Sequence, residues 1–155
     1  MAREPISTWC YSLVVVKKGR RFLVVEERTQ GWYLPAGRVE AGETFADTAR
    51  RETMEEAGIS IDLEGIYRIE HQPHVSGTAR MRVIFLARPA DDRNPKSQPD
   101  HESLGARWIT VEELRALPLR GEEVLWMFEE VLAGAPIYPL TILAPEGQPL
   151  IARRT

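Results

Sequence analysis

Apolar positions come in short runs separated by polar breaks, and the spacing changes along the chain. Tyr11 to Val16 is rich in β-branched residues and predicts a buried strand. Lys17-Lys18-Gly19-Arg20 predicts a turn, and Arg21 to Glu27 predicts the returning strand of a β-hairpin. Gln30 to Gly42, broken by Gly31, Pro35, Gly37 and Gly42, predicts irregular chain. Phe45, Ala49, Thr53 and Ala57 then recur every four residues, a small apolar stripe that predicts a helix over 45–57. Thr44 is a good N-cap, with Asp47 three residues on, and Gly58 stands where a helix C-terminus favours a left-handed residue. Beyond it, Ile59 to His71 and Ala79 to Ala87 each predict an extended segment, and Asp91 to Gly105 a polar loop carrying Pro95 and Pro99. Ala106 to Ile109 predicts a short strand, and Val111 to Leu117 and Glu122 to Leu132 predict helices. The leucines and Trp126 of the second helix are expected in the core, and Tyr138 to Leu143 in a last strand. Strands and helices are interspersed, so the expected class is mixed α/β or α+β, a sheet covered by helices.

Length and composition narrow this picture. The chain has 155 residues, enough for one domain over 1–155 that buries roughly 68–70% of its unfolded surface without help from a disulfide or a structural metal. Cys10 is the only cysteine, so there is no disulfide framework and no Cys-based zinc site, and a reducing cytoplasm is the expected location. The stretch Met1 to Ser7 holds charges and a proline and lacks the apolar core of a signal peptide, and Leu13 to Val16 is too short to span a bilayer. A net charge of −3 argues against general nucleic-acid binding, but leaves room for a local basic pocket that receives one small phosphorylated molecule.

The chemistry concentrates on the helix at 45–57. Glu52, Glu55 and Glu56 are spaced i, i+3, i+4 and fall within an arc of roughly 100°. Like charges at this spacing repel by about 0.2–0.5 kcal/mol per pair, and they sit at the helix end whose dipole disfavours negative charge. A divalent cation reverses both penalties, and hard cations such as Mg²⁺ take carboxylate and phosphate oxygens. Taken alone, the three glutamates fit a solvated acidic face as readily.

The wider spacing changes that balance. Gly37, five residues, Glu43, seven residues, then Arg51-Glu52-Thr53-Met54-Glu55-Glu56-Ala57-Gly58-Ile59 resembles the Nudix box at all seven of its fixed positions. Thr53, at a usually aliphatic position, is the single departure. Trp32-Tyr33-Leu34-Pro35-Ala36 before the box, and Glu102 to Trp108 followed by Glu112-Glu113-Leu114, are also similar to the family. The resemblance implies the Nudix fold, a mixed sheet between helices with a loop–helix–loop metal site, and a Mg²⁺- or Mn²⁺-dependent hydrolase that cleaves a diphosphate linkage.

By that resemblance Glu52, Glu55 and Glu56, with the backbone carbonyl of Gly37, are the metal ligands. Glu52 is the first choice for the base that takes the proton of the attacking water, and Glu102, on a later loop, is the second. Glu43 and Arg51 are expected to pair and brace the loop against the helix. Arg38 is a candidate for a substrate phosphate. Arg80 and Arg82 alternate on one strand and face one side, where phosphate contact and plain exposure are both open. Trp32 and Tyr33 either stack on a base or pack in the protein. His71 and His74 are expected to be solvated.

The expected substrate is a nucleoside di- or triphosphate or a related diphosphate. Val24 to Arg28, Ile69 to Gln72 and Pro136 to Leu140 resemble the NudJ-like phosphatases within the family. Pro35-Ala36-Gly37 is also found in ADP-ribose pyrophosphatases, which keeps that activity as an alternative. A binding-only Nudix module is the alternative from another class; intact glutamates argue against it. Monomer and homodimer are both open.

Overall fold

A computed structural model describes residues 3–151, so Met1 and Ala2 of the N-terminal stretch lie outside the described residues. Seven strands form one mixed sheet: β1 (Ser7–Lys18), β2 (Arg21–Glu27), β3 (Gly31–Tyr33), β4 (Ala36–Arg38), β5 (Ile61–Pro73), β6 (Thr78–Pro89) and β7 (Gly105–Ile109). The helices are α1 (Phe45–Ala57), α2 (Val111–Leu114) and α3 (Glu123–Leu132). The main path runs β3-β2-β1-β6-β5, with β4 beside β1 and β7 beside β2. β1 and β6 are parallel, from Ser7 opposite Thr78 to Val16 opposite Ala87, and the other pairings are antiparallel.

Side chains alternate across a strand, and both faces of this sheet are covered, so β1 reads as a continuous apolar run. On one face Leu13, Val15, Phe22, Val24 and Ile84 pack under Val124, Met127 and Phe128 of α3, with the rings of Phe22 and Phe128 stacked 4.1 Å apart. On the other, Val14, Val16, Leu23, Val25, Val83 and Phe85 pack under Ala49 and Ala57 of α1. The small residues of that stripe let α1 lie close, and Ser12 Oγ donates to the carbonyl of Phe45 at 2.6 Å. Thr53 is fully buried, but its hydroxyl donates to the Ala49 carbonyl at 2.7 Å, so the departure from an aliphatic residue is absorbed within the helix.

The β1–β2 hairpin forms but is short: Lys17–Phe22 and Lys18–Arg21 pair, while farther back β1 pairs with β4, and β6 lines the edge opposite β4. Four expectations need correction. The supposedly irregular 30–42 segment contains β3 and β4, which are three residues long and too short to show any periodicity. The helix expected over 111–117 stops at Leu114; Pro118 disfavours helical backbone at the residue before it. In α3 the fully buried residues are Val124, Met127 and Phe128, while Leu125, Trp126 and Leu132 only pack at the margin. The last strand is absent: Tyr138 makes one bridge to Ile66, and Leu140–Ile142 is a 3₁₀ turn, since Pro136 and Pro139 have no N–H for a ladder.

Candidate active site

The lead-in to α1 and the helix itself bring the box residues together. Thr44 and Asp47 form a reciprocal capping box, and Gly58 closes the helix with a left-handed φ of 68°. β4 lies against β1, with Gly37 opposite Ser12, which places the Gly37 backbone beside Glu52. A Cβ at Gly37 would overlap the Glu52 carboxylate, so the glycine forms a seat that only a missing side chain provides.

Arg51 organises the rest. Its Nε and Nη2 bind the Glu43 carboxylate at 2.5 and 2.9 Å, and Nη2 donates to the Arg38 carbonyl at 3.1 Å. Its Nη1 lies between Glu52 (2.7 Å) and Glu55 (3.1 Å), a fixed positive charge bridging two of the three box carboxylates. These bonds, first the one from Arg51, hold the Glu43 carboxyl down at about 2. Burial pushes Glu52 up, against the opposing pull of Arg51, and Glu55 and Glu102 add to the rise. The Glu102 carboxylate thus lies within electrostatic reach of Glu52, and it also meets His101 Nε2 at 2.8 Å.

Glu56 is the buried member, only 9% exposed, and accepts from the backbone N–H of Ala36 at 3.0 Å. Burial pushes its carboxyl up to about 8, and the like charges that contribute are Glu52 and Glu27. The i, i+4 repulsion expected between Glu52 and Glu56 is thus present, and Glu27 adds to it from the end of β2. Glu27, at the end of β2, is itself paired with Arg120 at 2.6 Å.

Among the described residues, no three His, Cys, Asp or Glu side chains converge closely enough to enclose a cation, because Glu55 is drawn to Arg51. The donor set nevertheless suits a hard divalent ion: all oxygen, one carboxylate buried with a single hydrogen bond, and a neighbouring pair already bridged by a positive group.

A cleft of about 600 Å³ lies over the paired segments of β5 and β6, lined by Arg68, Glu70, His71, Gln72, Arg80 and Arg82. Arg82 is committed there: it pairs with Glu70 at 2.6 Å and reaches Tyr33 Oη at 3.5 Å and Glu123 at 4.0 Å. Arg80 lies over the ring of Tyr11 (4.8 Å) and Arg38 over that of Trp9 (4.9 Å), and neither has a carboxylate partner among the described residues. Tyr33, whose phenol burial holds up at about 12, donates to Glu123 and lies under Arg120, and so joins this cleft to the Glu27–Glu56 side. Trp32 sits elsewhere: its backbone is clamped to Pro118 and Arg120, and Arg107 covers its ring at 4.5 Å. His71 and His74 are exposed. Glu27, Arg120 and Glu70 escaped the motif because single charges in strands and loops carry no periodic signal.

Fold and carboxylate array define a class. Residues 9–128 match the NUDIX domain, and the chain belongs to that family. It is 34% identical over 127 residues to the human 8-oxo-dGDP phosphatase NUDT18, covering 77% of this chain and 38% of that protein. With phosphatase NudJ of Shigella boydii it shares 33% identity over 139 residues, 87% of this chain and 90% of the relative. A NUDIX hydrolase structure from Nitrosomonas europaea superposes with a TM-score of 0.75 at 29% identity, over 92% of this chain and all of that one. The chain spans between 27% and 42% of the length of the animal relatives it matches. No helix among the described residues is long and apolar enough to cross a membrane.

Proposed function

We propose that this chain is a divalent-metal-dependent hydrolase that cleaves the phosphoanhydride bond of a nucleoside diphosphate or a closely related diphosphate by in-line attack of water. The observation that carries this reading is Glu56, a buried carboxylate one turn from Glu52 that has, among the described residues, one hydrogen bond and no cationic side chain bound to it. Leaving such a charge uncompensated is costly, and a cation offsets the cost. The names of the relatives, an 8-oxo-dGDP phosphatase and phosphatase NudJ, support a nucleotide diphosphate as the substrate class.

In this reading Glu52, Glu55, Glu56 and the Gly37 carbonyl hold Mg²⁺ or Mn²⁺, which supplies Lewis acidity toward the phosphoryl oxygens when bound. Glu52, seated on Gly37 and tied to Arg51, serves as ligand rather than base. Glu102, exposed and near enough to add to the rise of the Glu52 carboxyl, takes the proton of the attacking water. Arg38 and Arg80, without a carboxylate partner among the described residues, bind the substrate's anionic oxygens, while Trp9 and Tyr11 carry them on their ring faces. Arg82 braces the cleft wall through Glu70 and Tyr33. Trp32 packs in the protein. The substrate is the expected partner, and the cytoplasm the expected compartment.

The test is phosphate and pyrophosphate release from 8-oxo-dGDP, unmodified nucleoside di- and triphosphates, ADP-ribose and thiamine pyrophosphate. Phosphate is expected from a nucleoside diphosphate with Mg²⁺ or Mn²⁺, with turnover abolished by EDTA and restored by the ion. Full turnover in chelator, or nucleoside diphosphates left intact with the ion present, would overturn the reading.

Gly37→Ala provides a sharper test of the seat. A methyl group there has to expel the Glu52 carboxylate, and a misplacement of about 1 Å can cost on the order of 10² in rate. The expected result is a loss of that order in kcat/KM with a circular dichroism spectrum like the parent's, because only the end of one side chain moves. Unchanged kinetics would show that the seat has no function.

A further inference from the structure

The loop before β7 is tied to the end of α1 by bonds that no motif describes. A helix leaves its last carbonyls without partners. In α1 the Met54 carbonyl accepts from Gly58 N at 2.9 Å, and the next three are taken as well, by the loop over residues 91–104. Lys96 Nζ donates to the Glu55 carbonyl at 2.8 Å, Ser103 Oγ to that of Glu56 at 2.7 Å, and Lys96 N to that of Ala57 at 2.8 Å. Lys96 also places a positive charge at the end of a helix that has no basic residue in its own last turn.

The same ammonium grips both oxygens of Asp100, at 2.9 and 2.8 Å. Asp100 Oδ1 in turn accepts from the backbone N–H groups of Glu102 (2.8 Å) and Ser103 (3.1 Å), and the Asp100 N–H donates to the Ser103 carbonyl at 3.0 Å. Arg28 holds the Asp100 carbonyl from the other side. The backbone of Glu102 is thus fixed to the last turn of α1, the turn that carries Glu55 and Glu56, through two side chains.

We propose that Lys96 and Asp100 are positioning residues: together they form a clasp that holds Glu102 at the last turn of α1 and fixes its distance from the helix carboxylates. The inference rests on the reading of Glu102 as the base. The loop is long, polar and mostly exposed, so without the clasp its backbone has few other ties at residues 100–103. Asp100 does for Glu102 what a strand would do for a residue in the sheet.

A double-mutant cycle tests this, because residues acting through one another are non-additive while independent ones add. Asp100→Ala is expected to lower kcat by about 10–10²-fold with KM and the Mg²⁺ dependence little changed. Asp100→Asn, which keeps the Oδ1 acceptor, is expected to recover most of that loss. In a Glu102→Gln background, Asp100→Ala should add less than about twofold. Lys96→Met, which leaves the Asp100 acceptors in place, serves the same cycle if Asp100→Ala does not fold; thermal melting identifies folded variants. A folded Asp100→Ala that turns over like the parent, or one whose penalty persists undiminished in Glu102→Gln, would overturn the clasp and leave the hydrolase reading intact. A silent Glu102→Gln would remove the base assignment and the clasp's purpose together.

Discussion

Glu56→Gln should melt about 4–8 °C above the parent at pH 8 in EDTA, and the difference should vanish near pH 5. Burial raises the folded-state carboxyl from 4.5 to about 8. A raised acid favours the protonated form in the native state, so its contribution to stability is fully present below about 4.5 and is lost as pH rises through about 8. Glutamine keeps an acceptor for the Ala36 N–H and never ionises, so it escapes that loss. Even about 2 kcal/mol, well below the full shift at 1.36 kcal/mol per unit, moves the melting temperature by about 4–8 °C in a domain of this size. Mg²⁺ is expected to reverse the order. An ion at 100 times its dissociation constant stabilises the parent by about 2.7 kcal/mol and leaves the glutamine variant nearly unmoved. A stability difference that ignores pH would refute the burial account, and a Mg²⁺ shift that survives in Glu56→Gln would place the cation elsewhere.

The second large effect separates the two candidate bases. Glu102→Gln is expected to lower kcat by about 10²–10⁴ with metal affinity little changed, the signature of a lost general base. Glu52→Gln is expected to shift the Mg²⁺ dependence to much higher concentrations, because its carboxylate, seated against Gly37, is a proposed ligand. Rate alone does not distinguish the roles, so kcat at saturating metal and the metal titration are read together. If Glu102→Gln is nearly silent and Glu52→Gln stays slow at saturating ion, the base is Glu52.

Much of the candidate site is legible in the sequence. The box spacing names Gly37, Glu43, Arg51, Glu52, Glu55 and Glu56; the structure joins Arg51 to Glu43, Glu52 and Glu55, seats Glu52 on Gly37 and bonds Glu56 to the N–H of Ala36. Helical periodicity carries this, since residues three and four apart share a face whatever the rest of the chain does. The residues around them were not legible. Glu27 and Arg120 reach the neighbourhood of Glu56 from a strand end and a loop, and neither has a sequence neighbour that foretells it. The three carboxylates look equivalent on a helical wheel, yet Glu56 is buried, Glu52 half-buried and Glu55 exposed.

By itself, the sequence determined the elements whose causes are local. α1 runs over Phe45–Ala57 as its stripe and caps require, because a capping box and a left-handed glycine act within a few residues. Strand segments β2, β5, β6 and β7 follow from β-branched and alternating runs, with ends shifted by a residue or two. Tertiary structure alone decided what those elements meet. β1 lies between β2 and β6; it pairs along most of its length with β6, far away in sequence, and only at its end with the adjacent β2, and the resulting sheet is covered on both faces. The same distant packing buries Glu56, sets Arg80 over Tyr11 while Arg82 pairs with Glu70, and clasps the 91–104 loop to the end of α1. Burial and charge pairing depend on which segments lie across the gap, and no window of neighbouring residues contains that information.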